Sequence, residues 1–377
     1  MKILVFVFHF PPMSGGGAVV SHDIVSTLAK LNHEVTVLVP DIKWNGPKYI
    51  PFMDPRLNII RVKVPFDRKI KIASRLCRYN LQKTGLKIAK KNKYDFVFTI
   101  FHPFHLIPTA AVSCAKKLGI PVIVKIDDAV YEKTFGLKSI QRWLEKTHNA
   151  KVLQSADAVL VANEETKKIV YDHYKVKNNV SILANGIELS LFKDGIRKPL
   201  VVFSGVMYHH RGLDILLQAV PKVIKIMPKT KFLLFGEGPQ KNQLLDIVKK
   251  NNMNENVSFM GWLDRSTLAD YLSEASIGIG PLKISTVTKN ALPIKVLEYM
   301  ASSLPIIAKS GTLPSDILVD GKNGYFIESV DELAEKIIYL LDNPREREIM
   351  GKSSFHMVQK FSWEKIIENM FTLVKKN

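Results

Sequence analysis

The sequence predicts an α/β protein made of two Rossmann-like units, each a parallel sheet covered by helices. Three observations carry that expectation. Short β-branched or apolar runs alternate with amphipathic helical patterns, the βαβ rhythm of a parallel sheet. The rhythm pauses in a turn-rich stretch, NGIELSLFKDGIRKP (185 to 199), and then restarts. At 377 residues, the chain also exceeds what one hydrophobic core usually organises.

In the first half the strands are expected at 2–8, 34–40, 58–64, 96–101, 121–126, 158–162 and 180–183. The helix after the first of them carries Val20, Ile24, Leu28 and Leu31 on one face, the spacing of an amphipathic helix. The second half offers strands at 199–205, 231–238, 257–262, 277–282, 305–310 and 325–327. Pro239 suits a helix start, where its missing N–H costs nothing. Ser329 with Glu332 reads as a capping box ahead of the apolar face Leu333, Ile337, Leu340 and Leu341. There is no residue-level repeat between the halves and no low-complexity segment.

Composition narrows the class. Hydrophobic residues make up 46% and charged residues 24%, the proportions of a globular chain. Two cysteines, Cys77 and Cys114, are too few for a disulfide framework or a four-ligand zinc site, which fits a reducing compartment. MKILVFVFHFPP is too short in its apolar run for a secretory signal and reads as a buried first strand. No run of about 18 apolar residues is present, so no spanning helix is expected.

The net charge of +19 is unevenly placed: residues 1–190 hold 29 Lys/Arg against 15 Asp/Glu, the remainder 25 against 20. Within 61–93, twelve basic residues face one acid, Asp67. Such a block suits anionic lipid, nucleic acid or a phosphorylated substrate, and equally the solvated face of a helix. Ile72, Leu76 and Tyr79 fall at helical spacing, but Leu81, Leu86 and Ile88 do not extend that stripe, so a surface-lying helix stays one alternative.

The first βα junction, PPMSGGGAVV, places Gly15, Gly16 and Gly17 where backbone N–H groups and a helix N-terminus can approach an anion. It fits neither G-x-G-x-x-G nor the G-K-[ST] of a P-loop, so a structural turn is the competing reading.

Several segments, in order along nearly the whole chain, resemble the retaining, nucleotide-sugar-dependent glycosyltransferases of family 4, which have the GT-B fold. PPMSGGGAVVSHDIVSTLAKLNHEVTVLVP is similar to the family's opening, SADAVLVANEETKKIV to its inter-domain strand and helix, and ILANGIELSLF to its N-G-[IV]-D seam. FGEGPQKNQLLDIVKKNNMNENVSFMGW resembles the G-x-G-P to V-x-F-x-G stretch, and PIKVLEYMASSLPIIA the donor-binding P-x-K-x-x-E-Y-M-A motif. The resemblance implies an acceptor-side domain at 1–190, a donor domain at 191–358, and a helix at 359–377 that returns to the first domain. The two parallel sheets are expected to face each other across a deep cleft.

The same resemblance implies site roles. Glu298 would accept hydrogen bonds from ribose hydroxyls, and Arg211 would neutralise the diphosphate as charge grows on the leaving group. Gly16 and Gly17 would offer N–H groups from the first domain. Gly205, Lys295 and Leu297 complete the donor set, with the base near Gly261, Trp262 and Leu263, although Trp262 equally suits a core. Departures from the family pattern bear on the chemistry. Val206 stands where the family has arginine, with Lys295 and Lys289 as substitutes; Asn290 replaces the first glutamate of E-x7-E; Asp127, followed by Asp128, replaces a histidine. His102 and His105 end a first-domain strand and are candidates for acceptor or sugar contact. Asp127, Arg211 and Asn290 are accordingly the expected catalytic residues.

The implied reaction is sugar transfer with retention, with no metal and no cofactor beyond the nucleotide-sugar co-substrate. The sequence has no D-x-D of the metal-dependent type. The acceptor hydroxyl is expected on a lipid-linked molecule, polysaccharide or other glycan at the cytoplasmic membrane face, reached through the basic segment 61–93. No nucleic-acid partner is expected. A silent or divergent GT-B protein, or a GT-B-type sugar-nucleotide epimerase, is the alternative.

Overall fold

A computed structural model describes the chain except residues 47, 65–70, 103–105, 128–136, 178, 286 and 377, together with the side chains of 71–76, 137–143, 375 and 376. The described residues divide into two compact units, 1–185 with 363–377, and 186–362. The seam falls a few residues from the positions 190 and 358 because two chain crossings are tied to each other within the second unit. The Ile187 N–H donates to Phe361 O at 2.8 Å, and Ile187 bridges Ser362.

The first unit is a seven-stranded, all-parallel sheet built from β1 (Lys2–Phe6), β2 (Glu34–Asp41), β3 (Leu57–Lys63), β4 (Phe96–Phe101), β5 (Val122–Ile126), β6 (Ala158–Val161) and β7 (Val180–Ile182). Its order is β3-β2-β1-β4-β5-β6-β7. The order reverses between β1 and β4, and a crevice at the carboxyl ends is the expected ligand position in such a sheet. Helix α1 (Gly16–Lys30) buries Val20, Ile24 and Leu28. Leu31 caps that helix and is only partly buried.

Helix α2 (Lys71–Ala89) corrects the reading of the basic segment. Its buried stripe is Cys77, Leu81 and Gly85, one turn apart, with Ile88 packed partly buried beyond them. Gly85 sits so close to the sheet that an added Cβ would lie 2.8 Å from Phe6 Cζ. The helix therefore packs on the sheet, and Tyr79, Lys83, Lys87 and Lys90 form its exposed row. Burial pushes the thiols of Cys77 and Cys114 up to about 11, so both behave as apolar core groups.

The final helix (Trp363–Lys376) belongs to this unit and packs on α1. Trp363 is buried, and its Nε1–H donates to Asp23 Oδ2 at 2.9 Å.

The second unit is a six-stranded parallel sheet of β8 (Leu200–Ser204), β9 (Lys231–Phe235), β10 (Val257–Gly261), β11 (Ile277–Ile279), β12 (Ile306–Lys309) and β13 (Gly324–Ile327). Its order, β10-β9-β8-β11-β12-β13, has the same reversal, here between β8 and β11. The helix Val330–Asp342 starts as predicted, with the Ser329 hydroxyl accepting from the Glu332 N–H at 3.1 Å. Glu332 returns its bond to the N–H of Glu328, one residue before the cap. The helix after Pro239 begins at Lys241, two residues later than expected.

Candidate active site

In the first unit a cavity of about 240 Å³ opens at the β1/β4 reversal. It is lined by residues that follow three strands: His9 after β1, His102 after β4 and Asp127 after β5, with Ser14 and Gly15 to Gly17 completing the wall. Gly15 caps α1 at φ +108°, a conformation that other residues adopt only under strain. No side chain caps this helix, so the first-turn N–H groups of Gly16 and Gly17 remain available, and a helix N-terminus favours an electron-rich group. A Cβ on Gly17 would touch His9 Nδ1 at 3.4 Å, so the glycine lets the turn lie against the imidazole.

His9 and His102 stack edge to face with ring centroids 5.3 Å apart. Burial pushes His102 down to about 4, with His9 adding to the effect, and burial also lowers His9. Both rings are neutral near pH 7 and can donate and accept hydrogen bonds. Asp127 is partly exposed and pairs with Lys125, which is fully buried in β5 and whose Nζ also donates to Asn185 Oδ1 at 2.7 Å. His105 and Asp128 lie outside the described residues.

In the second unit the helix Ile294–Ala301 carries Lys295 and Glu298, both buried. Tyr299 fastens that helix to β8: its hydroxyl accepts from the Ser204 N–H at 2.7 Å, and its ring leaves no room for a Cβ on Gly278. Lys295 Nζ lies 3.5 Å from the centroid of the Phe203 ring and hydrogen-bonds no atom among the described residues. Gly205, at φ +123°, stands next to that amine; an added Cβ would lie 3.8 Å from it. Burial holds Lys295 well below the usual lysine range, the Arg211 charge adds to this, and Glu298 opposes it.

Arg211 closes the turn His209–Arg211, and its carbonyl accepts from the Leu282 N–H at 3.1 Å, joining the segments that follow β8 and β11. His210 is lowered by burial and then by Arg211 and Lys295. These shifts place Arg211, Lys295 and His210 within one another's field, so charge on one disfavours charge on the others. Glu298 Oε1 lies 3.8 Å from Arg265 Nε.

The remaining expected residues are placed as follows. Trp262 is 36% exposed, which removes the core alternative, and Leu263 beside it is half-buried. Gly261 lies at φ +68° close to Glu237. Leu297 is fully buried, so its side chain offers no surface to a ligand and a donor contact there would fall to its backbone. Asn290 takes φ +46° and its N–H donates to Gly311 O at 3.1 Å; asparagine tolerates that left-handed conformation better than glutamate would. Lys289 is exposed.

Sequence reasoning missed His9 and Lys125. The signal for Lys125 was present, because a lysine inside the apolar run PVIVKI must find a partner, and Asp127 is two residues on. His9 carried none beyond its place at the end of the first strand. Among the described residues no group of three His, Cys, Asp or Glu side chains could hold a metal ion.

Comparison with known proteins bears on both units. Residues 14–191 match the family model described as Glycosyltransferase Family 4, and residues 198–343 match Glycosyl transferases group 1. An uncharacterized glycosyltransferase of Methanocaldococcus jannaschii is 25% identical over 82% of this chain and 83% of its own length. Alpha-monoglucosyldiacylglycerol synthase of Acholeplasma laidlawii is 23% identical over 94% and 91%. The crystal structure of HepE of Anabaena in complex with UDP and glucose superposes with a TM-score of 0.75 over the full length of both chains, at 12% identity.

Proposed function

We propose, for a chain that belongs to the GT-B-fold glycosyltransferases of the family 4 and group 1 type, that its second unit holds a nucleoside-diphosphate sugar and its first unit a sugar or acceptor hydroxyl. The observation that carries this reading is Lys295, a buried amine within the field of Arg211 that, among the described residues, hydrogen-bonds no partner, Glu298 acting on it only through its charge. Burying a cation without a partner is costly, and a site that does so is built for an anion that arrives. A diphosphate supplies about two negative charges; Arg211 supplies one cation, and an arriving anion would favour the charged form of Lys295 as a second. The Glu298 carboxylate is an acceptor suited to a ribose diol. The UDP named with HepE is a ligand of this chemistry.

In the proposed reaction the acceptor oxygen bonds to the anomeric carbon as the carbon–oxygen bond to the diphosphate breaks. The acceptor's proton passes to the departing phosphate oxygen, on the same face, which gives retention. Arg211 and Lys295 stabilise the charge that grows on the leaving group, an interaction stronger in the transition state than in the bound donor. No side-chain base is needed for that proton, and no metal enters.

The acceptor is proposed to be a lipid-linked or polymeric glycan. The exposed Lys83, Lys87 and Lys90 of α2 support attachment to an anionic membrane surface, as does the lipid product in the synthase's name. No helix among the described residues is long and apolar enough to cross a membrane, so such attachment would be peripheral, at the cytoplasmic face.

A thermal-shift panel of UDP, GDP and ADP, run on the wild type and on Glu298→Ala, tests the donor reading. One diphosphate should raise the melting temperature of the wild type, and the variant should lose most of that rise. Absence of any shift refutes it.

A further inference from the structure

Lys125 is fully buried, yet it sits in an interior strand of an apolar sheet. An ammonium in that position persists only where partners satisfy it, since breaking a buried pair is far more costly than never forming one. Two partners reach it. Asp127 lies two residues on, and because side chains alternate along a strand the two share a face. Asn185, which follows β7, accepts from the same Nζ at 2.7 Å. Asp127 alone of the three lines the cavity with His9, His102 and Gly15 to Gly17.

We propose that Lys125 is a positioning residue: it fixes Asp127 as a hydroxyl acceptor on the cavity wall and cancels its charge. The assignment rests on the reading of the first unit as the receiver of a sugar or acceptor hydroxyl. Lys125 occupies Asp127 Oδ1, which leaves Oδ2 as the oxygen available to a ligand. The pair carries no net charge, and the two histidines beside it are neutral. Apart from the pull of the α1 N-terminus, the wall therefore offers acceptors and donors without a net side-chain charge, the chemistry that recognises an uncharged polyol. The pairing also removes the difficulty raised by an acid in this position. An isolated Asp127 would repel an anionic co-substrate, whereas the paired one does not.

The test compares the wild type with Lys125→Met, Asp127→Asn and the double variant. Methionine matches the length of lysine and the apolar strand, so the fold should hold; the double variant, which leaves no uncompensated carboxylate, guards against its loss. UDP-induced thermal shifts should be equal in all four proteins, because UDP reports on the second unit. Release of UDP from UDP-glucose should fall about tenfold or more in each single variant, and the double variant should be no slower than Asp127→Asn alone, since residues acting as one unit are not additive. A crystal structure of Lys125→Met should show the Asp127 carboxylate displaced from the wall. The proposal is overturned if Lys125→Met keeps its rate, if the two losses multiply, or if Asp127 stays in place without the lysine. If UDP, GDP and ADP all leave every protein unshifted, the donor reading fails instead, and the crystal structure still decides the role of Lys125.

Discussion

Replacing Lys295 by methionine should move stability and ligand binding in opposite directions. The unfolded chain holds the Lys295 proton at the ordinary lysine affinity, whereas burial and Arg211 lower that affinity in the folded state. Folding at neutral pH therefore either releases the proton or buries the charge, and both oppose stability. Methionine has neither cost and keeps the contact with the Phe203 ring, where a thioether packs well. The melting temperature should accordingly stay level or rise. Binding should suffer, because a hydrogen bond to a charged group is worth about 1.5–3 kcal/mol, and at about 1.4 kcal/mol per tenfold this weakens Kd by roughly 10- to 150-fold. Isothermal titration with the diphosphate that stabilises the wild type, paired with thermal unfolding of the empty proteins, measures both. An unchanged Kd would show that Lys295 never meets the ligand. A clearly lowered melting temperature would show that the amine is satisfied within the fold, and the argument from its burial would fail.

Three further outcomes are expected. Arg211→Gln should reduce kcat by about 10²-fold, the size of losing one donor to developing charge, with a smaller change in the affinity for the free diphosphate; an effect confined to KM would exclude a role at the leaving group. His102 binds its proton less tightly folded than unfolded, and His9 shifts the same way, so the stability they contribute is complete above about pH 6.5 and is lost as the pH falls below it, toward about 4 for His102. Urea unfolding across that window should show a slope of up to about 1.4 kcal/mol per pH unit for each histidine, absent in a His9→Phe/His102→Phe double variant. Trp363→Phe leaves the buried Asp23 carboxylate without its indole donor and should cost about 2 kcal/mol, read as an earlier urea midpoint for the first unit; an unchanged midpoint would mean that the helix Trp363–Lys376 is held by packing alone.

Most of the fold was legible because parallel strands covered on both faces write themselves as apolar runs, and the helix starts carried capping chemistry. The strand ends that ran long are those at glycine and proline. Expected to reach residue 238, β9 stops at Phe235, where Gly236 turns to φ +114° to pass against Gly205. For β11, expected to reach 282, the run ends before Gly280 and Pro281. The packed face of α2 was not legible, because its contact with the sheet runs through Cys77 and Gly85, and a glycine at an interface leaves no hydrophobic signal. In the site, Arg211, Lys295 and Glu298 were found through motif order. His9 and Lys125 escaped because their meaning depends on which strands end side by side, a property of topology that spacing does not contain.

The departures from the family pattern share a physical logic that argues against a silent protein. Val206 leaves the end of β8 without the family's arginine, and there Lys295 places a buried amine beside the neighbouring Gly205. Asp127 brings an acid where the family has histidine, and Lys125 brings the balancing charge within the same strand. In each case a lysine nearby can supply the balancing charge. A buried lysine with no internal hydrogen bond and a second lysine spent on one carboxylate both cost stability. A site released from function would be expected to exchange such groups for apolar ones, since that exchange is often stabilising. Both lysines are costly to a scaffold and useful to a site that binds an anion and a hydroxyl, which is the ground for reading the chain as a working transferase and not a silent one.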